Sequence, residues 1–261
     1  MIKNKLGKPI SQRQLRVGEE LRHALSDVFG RGVLRDPDIM DRSVTVTEVR
    51  PSPDLKNATV YVMPLGGADI DSLLKRMPLE ERLYRHRCVE AWSMTVPWVG
   101  IPLASILARA QPTPRARYVT FESFFDVSQA PRQANDSYPW PYREGVTIGE
   151  AMNPLTFVAL GMYGRFLQPQ NGAPVRIVVP WKYGFKGPKS VVKMTLTATR
   201  PESFWHTLQP TEYGFTANVD PTVPHPRWSQ AHEIEIGSWG RRRPTLKFNG
   251  YGDWVAHLYQ R

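Results

Sequence analysis

The composition of this chain changes abruptly near residue 77, and that break constrains the fold more than any single motif. All 8 tryptophans lie beyond it, and the only aromatic residues before it are Phe29 and Tyr61. No internal repeat and no low-complexity linker accompanies the change. The chain reads as two unrelated segments joined without a spacer. Its 261 residues, at about 100–200 per domain, suit one or two domains, and the break places them at 1–76 and 77–261.

The formal net charge is +10, which favours anionic partners such as nucleic acid, phosphates or an acidic protein. The charge is spread: 13 Lys+Arg face 10 Asp+Glu before residue 77, and 21 face 14 after it. The longest basic block, Arg241-Arg242-Arg243, reads as a solvated turn rather than a nucleic-acid patch. No apolar run reaches the 18 or more residues of a membrane span. The basic start, Met1 to Lys8, leads into no apolar stretch, so as written the chain is expected to stay in the cytoplasm.

Local signals in the first segment give the order helix, strand, strand. Ser11-Gln12-Arg13-Gln14 fits a capping box. Val17, Leu21, Ala24, Leu25 and Val28 then recur at helical spacing, and Gly30 and Gly32 stop the helix. Val44 and Val46 alternate with Thr45, Thr47 and Glu48 as a half-buried strand, Pro51-Ser52-Pro53-Asp54 turns the chain, and Ala58, Val60 and Val62 alternate again.

This segment resembles ribosome-binding factor A. The match runs from about Ser11 to Lys75, through Arg13-Gln14-Leu15-Arg16-Val17-Gly18-Glu19-Glu20, Arg35-Asp36-Pro37 and Ser52-Pro53-Asp54-Leu55-Lys56-Asn57-Ala58. The resemblance implies a KH-type fold and binding to small-ribosomal-subunit RNA through residues 11–76. The family continues with further helices and a third strand, whereas here the match stops at Leu73-Leu74-Lys75-Arg76. A partial α-β-β segment buries little apolar surface. Arg13, Arg16, Arg22 and Lys56 suit either phosphate contacts or an ordinary solvated face.

The second segment reads as many short strands between Gly/Pro turns, a β-rich α+β architecture. Pro97-Trp98-Val99-Gly100-Ile101-Pro102 is expected to be turn-rich, and Leu103, Ile106 and Leu107 to form a short helix. Strands are expected at 118–122, 175–179, 191–196, 235–236 and 245–248. Cys88, the only cysteine, lies in Tyr84-Arg85-His86-Arg87-Cys88-Val89-Glu90-Ala91-Trp92-Ser93-Met94. It has no partner for an internal disulfide. Flanking arginines lower a thiol's pKa, and a thiolate is a soft metal ligand and nucleophile; the alternative is a small buried hydrophobe.

Residues 78–261 resemble the catalytic subunits of bacterial protein-methionine-sulfoxide reductases, molybdenum enzymes of the sulfite oxidase superfamily. The stretches that carry this are Pro78-Leu79-Glu80-Glu81-Arg82, Arg87-Cys88-Val89-Glu90-Ala91-Trp92-Ser93-Met94, Asn171-Gly172-Ala173-Pro174-Val175-Arg176 and Pro180-Trp181-Lys182-Tyr183-Gly184-Phe185-Lys186-Gly187. Tyr213-Gly214-Phe215 and His225-Pro226-Arg227-Trp228-Ser229-Gln230 follow in order. The resemblance implies a sulfite-oxidase-type molybdopterin-binding domain with Cys88 as molybdenum ligand and catalytic residue. It implies that Ser123, Asn171, Arg176, Gly187, Pro188 and Lys189 hold molybdopterin. Oxidised proteins would be the substrates and a membrane haem-containing subunit the electron donor.

Several positions depart from the family pattern. Ser123 stands where the family usually has Thr, keeping a hydroxyl. Pro188 has no N–H to give. The family's twin-arginine export signal, which sends it to the periplasm, and the upstream residues that reach its pterin are replaced by the factor-A-like segment.

The histidines show no zinc spacing, and no paired-carboxylate, phosphate-loop or Ser/His/Asp arrangement occurs. Trp181 and Tyr183 suit either a pocket wall or the core, and His225-Pro226-Arg227-Trp228 suits the mouth of a site. Three readings follow: a molybdopterin-dependent reductase of methionine sulfoxide, a small-ribosomal-subunit binding factor, and an inactive fusion of two incomplete families.

Overall fold

The computed structural model of the chain describes residues 11–30, 44–51, 58–64, 79–110 and 112–260. It divides into two compact units, Met1–Met77 and Pro78–Arg261.

In the first unit, helix α1 (Gln12–Gly30) precedes β1 (Val44–Pro51) and β2 (Ala58–Pro64), an antiparallel pair running from Val44↔Pro64 to Pro51↔Ala58 with an irregularity between Val46 and Glu48. The capping box is present. Gln14 N–H donates to Ser11 Oγ at 3.2 Å, and Ser11 N–H donates to Gln14 Oε1 at 3.2 Å. The expected apolar stripe is only partly covered: Val17 is half-buried, but Leu21 and Ala24 are exposed. The two described strands offer a helix little surface to bury against. The side chains of Leu25 and Val28, the 52–54 turn and Gly32 lie outside the described residues.

The second unit is built on β3 (Glu80–Arg87) and β4 (Trp92–Pro102), antiparallel in the register Arg87↔Ser93 to Glu80↔Gly100. β4 is the hub of a seven-stranded sheet. It also pairs β7 (Phe157–Met162) antiparallel and β11 (His232–Glu235) parallel. β8 (Arg165–Phe166) and β9 (Arg176–Val178) extend β7, and β12 (Arg242–Pro244) extends β11. β5 (Tyr118–Ser123) lies between β6 (Arg143–Thr147) and β10 (Val191–Thr197) in a second, three-stranded sheet.

The expected turn at 97–102 is corrected, because these residues form the second half of the longest strand. Val96, Trp98 and Gly100 are buried at every second position, the signature of a strand. The Gly/Pro content that suggests a turn serves the sheet instead. A Cβ on Gly100 would sit 2.0 Å from Val158 O, where the β4–β7 register shifts.

The expected strand at 245–248 is also corrected. Lys247–Gly250 is a 3-10 turn in which Phe248 and Asn249 take positive φ.

Short helices complete the unit: α2 (Leu103–Ala110), α3 (Ile148–Met152), α4 (Phe204–Leu208) and α5 (Gly252–Val255). The core has two parts. One joins Leu103, Phe121, Val146, Ile177, Trp181 and Val255, and the other joins Tyr84, Val96, Trp98, Phe157 and Ala159.

Candidate functional site

Cys88 is the first residue after β3 and opens the turn into β4. Its N–H donates to Trp92 O at 2.9 Å, Ala91 N–H returns to Cys88 O at 3.2 Å, and Ala91 takes φ +64° to close the loop. The turn is also clamped from β11 and the segment before it. Val89 O accepts from Trp228 Nε1 at 2.8 Å and from Gln230 Nε2 at 2.7 Å.

Arg87 braces the turn from inside the protein. It donates to Cys88 O, to Gln230 Oε1 at 2.9 Å, to Thr245 Oγ1 at 3.2 Å and to Glu233 Oε2 at 2.8 Å. Glu233 also accepts from Arg85, from Arg243 at 3.0 Å and from the Ser93 hydroxyl at 2.8 Å. One buried carboxylate therefore gathers three guanidiniums.

That arrangement corrects the expectation that Arg85 and Arg87 keep Cys88 ionised. Both charges are committed to Glu233. Burial pushes the thiol above its ordinary value, and the Glu90 carboxylate, 3.9 Å from Sγ, adds to the rise. The opposing pull of the Glu90 amide and of Arg87 is smaller.

Arg85 and His86 of β3 line a cavity with Trp98, Arg176, Lys182, Tyr183, Gly184 and Gly187. Its chemistry is cationic and incompletely paired. Arg176 lies over the Trp98 ring at 5.0 Å and reaches Asn171 O at 3.3 Å, but has no carboxylate partner among the described residues. Burial pulls its pKa down to about 10. Burial, then the charge of Arg176, pushes His86 down to about 4. Arg85 Nε, Trp98 Nε1 and Arg176 Nε are buried without hydrogen-bond partners. Such groups are costly unless something completes them.

Two glycines give the cavity its shape. A Cβ on Gly184 would sit 2.2 Å from His86 Cε1, and one on Gly187 would sit 2.5 Å from Ile177 O. Lys182 is satisfied by Glu150 at 2.5 Å, Thr216 O at 2.7 Å and Asn218 Oδ1 at 2.8 Å, though burial pulls its pKa to about 8.

Of the candidates named from sequence, Arg176 and Gly187 line this cavity; Cys88, Ser123, Asn171, Pro188 and Lys189 do not. All but Cys88 nevertheless belong to one knot of backbone. Pro188 O accepts from Ile177 N–H at 3.0 Å, and Ser190 N–H donates to Gly172 O at 3.0 Å. Ser123 Oγ donates to Lys189 O at 2.6 Å, so only its acceptor side is free for a further bond. Asn171 holds Arg176 by its carbonyl and turns its amide to Met162 Sδ at 2.9 Å. Lys189 is exposed and donates to Gln170 O at 3.1 Å.

Of the two aromatics, Tyr183 lines the cavity, whereas Trp181 is wholly buried in the core and donates to Tyr259 OH at 2.7 Å. Trp98, Gly184, Gln230 and Glu233 were not singled out from sequence. Trp98 and Gly184 stand in conspicuous Gly/Pro-flanked stretches and Gln230 closes the His225–Gln230 stretch, but nothing local marks Glu233.

The family model described as "Oxidoreductase molybdopterin binding domain" matches residues 67–205, more than half the chain. That of ribosome-binding factor A matches 13–97. The two overlap over 67–97, of which 80–97 are strands and turn of the second unit's larger sheet.

The chain is 53% identical over 210 residues to the protein-methionine-sulfoxide reductase catalytic subunit MsrP of Burkholderia mallei. The match covers 79% of this chain and 61% of that protein, so the chain spans about three-fifths of the length of this curated relative. Among solved structures it is similar to the sulfane dehydrogenase SoxCD of Paracoccus pantotrophus, with a TM-score of 0.46 and 18% identity over 65% of this chain and 46% of that one. The length of the first match settles the assignment: this chain belongs to the oxidoreductase molybdopterin-binding domain family.

Proposed function

We propose that this chain is a molybdopterin-dependent oxidoreductase that reduces methionine sulfoxide in proteins, taking the oxygen from sulfur with two electrons and two protons and releasing methionine and water. One observation carries the reading: a cavity walled by Arg85, His86 and Arg176 leaves three buried nitrogens unpartnered and one guanidinium without a counter-charge among the described residues. Those groups fit a polar, phosphate-bearing pterin. The 53% identity to a methionine-sulfoxide reductase subunit supports the substrate class.

When bound, the molybdenum–pterin group supplies the two-electron oxygen-atom transfer. The chain's own residues hold and orient it. Arg176 supplies positive charge for the phosphate, and Gly184 and Gly187 let the turn lie against His86 and Ile177 O, where any side chain would clash. Cys88 supplies the one protein thiolate, at the start of a turn fixed by Arg87, Trp228 and Gln230. Lys189 adds charge at the exposed edge, and Ser123 offers an acceptor. Because burial holds the free thiol protonated, binding at Cys88 releases a proton. That the relative is a catalytic subunit supports a separate electron donor, which we take to be a haem-containing membrane subunit.

The test is molybdenum per chain by mass spectrometry, after purification from cells that make the cofactor, for the native protein, Cys88→Ala and Arg176→Met. Circular dichroism confirms the fold of each. Near-stoichiometric metal in the native protein and strong loss in both variants is the expected result, and a metal-free native protein would sink the proposal. The match of residues 13–97 to ribosome-binding factor A supports a second reading, small-subunit RNA binding through residues 11–76. That reading requires salt-sensitive binding to the small subunit that disappears when residues 1–76 are removed.

A further inference from the structure

The Arg241-Arg242-Arg243 block, unused by the cofactor reading, sits on the β11–β12 hairpin. β11 and β12 are antiparallel, with Ile234 opposite Arg242. The turn between them holds Gly237, Trp239 and Gly240 all at positive φ, and Ser238 N–H donates to Glu235 O at 3.1 Å. A tryptophan in the left-handed region is strained, and here it leaves the indole 102% exposed, with no protein packed on it.

Ile236 (59% exposed) and Ile234 (41%) add aliphatic surface beside it. Arg243 is neutralised by Glu233 and Glu235, but Arg241 and Arg242 are exposed and have no acidic partner among the described residues. The unit as a whole carries an excess of basic residues.

We propose that this hairpin docks on an anionic phospholipid surface, with Trp239 at the boundary between headgroups and acyl chains and Arg241 and Arg242 on lipid phosphates. An indole prefers that boundary. Each arginine near a negatively charged leaflet strengthens attachment about fivefold. The site is a convex tip rather than a groove, so it offers no pocket for a partner's anchor residue. Its isoleucines have no counterpart in phosphate contacts to nucleic acid. The docking is reversible and weakens as salt screens the arginines.

The experiment is co-sedimentation of the full chain with phosphatidylglycerol and with phosphatidylcholine vesicles, at low and high salt. The protein is expected to sediment with phosphatidylglycerol only, and less at high salt. R241Q/R242Q should weaken binding about fivefold per arginine, and W239A roughly tenfold, with circular dichroism unchanged. Equal binding to both lipids, no binding to either, or undiminished binding by both variants would overturn the proposal. So would retention on RNA through these residues without vesicle binding, or a dimer in sedimentation velocity that W239A abolishes.

Discussion

Arg87 Nε donates to Glu233 Oε2 at 2.8 Å, and neither side chain touches solvent. Glu233 also receives Arg85 and Arg243, so its charge is what lets three guanidiniums share one place behind the Cys88 turn. Glu233→Gln removes that charge and leaves the cations facing one another. Breaking a buried pair this way costs about 3–5 kcal/mol. A lowered urea midpoint and faster labelling of Cys88 by a thiol reagent are expected, as the turn loses its brace.

Acid should unfold the second unit along a predictable limb. For Glu233 burial raises the pKa, but the hydrogen bonds from Ser93 and Arg85 more than offset it. For Glu150 burial is likewise outweighed by Lys182. Both carboxylates thus sit below their ordinary 4.5 in the fold. The stability they contribute is complete above that value and is lost as pH falls through the lower folded values, at up to about 1.4 kcal/mol per pH unit for each. Urea midpoints measured from pH 6 to 3 should show this slope, and Glu150→Gln should flatten it while lowering the plateau.

Arg176 should oppose the stability of the cofactor-free protein. Its guanidinium is enclosed without a counter-charge among the described residues, so Arg176→Met is expected to raise the free protein's stability by about 1 kcal/mol. The same substitution is expected to reduce molybdenum content. Opposite signs in the two measurements identify a residue kept for its ligand; a loss of both would make Arg176 structural.

The two cavity glycines should fail differently. Gly187→Ala drives a methyl against Ile177 O at 2.5 Å, a backbone atom, and should cost about 1–3 kcal/mol. Gly184→Ala meets the ring of His86 at 2.2 Å, a side chain that can swing into the cavity. It should cost less stability, yet lower molybdenum content more. Thermal midpoints beside metal analysis separate the two.

Much of this architecture was legible in local sequence. The Ser11 capping box, the 103–110 helix and the strands at 118–123 and 191–197 follow from spacing that each segment carries by itself. Errors arose where long-range pairing overrides local chemistry. Pro97 to Pro102 carries turn residues, yet it is held between β3 and β7. Thr245 to Phe248 alternates like a strand but lies where the chain must bend to place Asn249 on Arg85 O at 2.9 Å and Pro180 O at 2.8 Å.

At the site, the cysteine and the Arg176–Gly187 pair were visible as motifs. The ionisation of the thiol was not, because the carboxylate that captures its neighbouring arginines is 146 positions from Arg87.

The parallel seam between β4 and β11, Trp92 against Ile234, gives the cysteine turn a history as well as a shape. Ser93 and Glu233 are 140 positions apart, so at translation rates of about 5–20 residues per second the two are made roughly 7–28 s apart. During that interval β3 and β4 can pair as a simple hairpin, while the turn between them lacks Trp228, Gln230 and Glu233. The nascent chain therefore carries Cys88 in a loose loop, open to oxidants and stray metals. The braced turn exists only once residues 228–233 have been made, and a ligand that needs it braced must arrive after them.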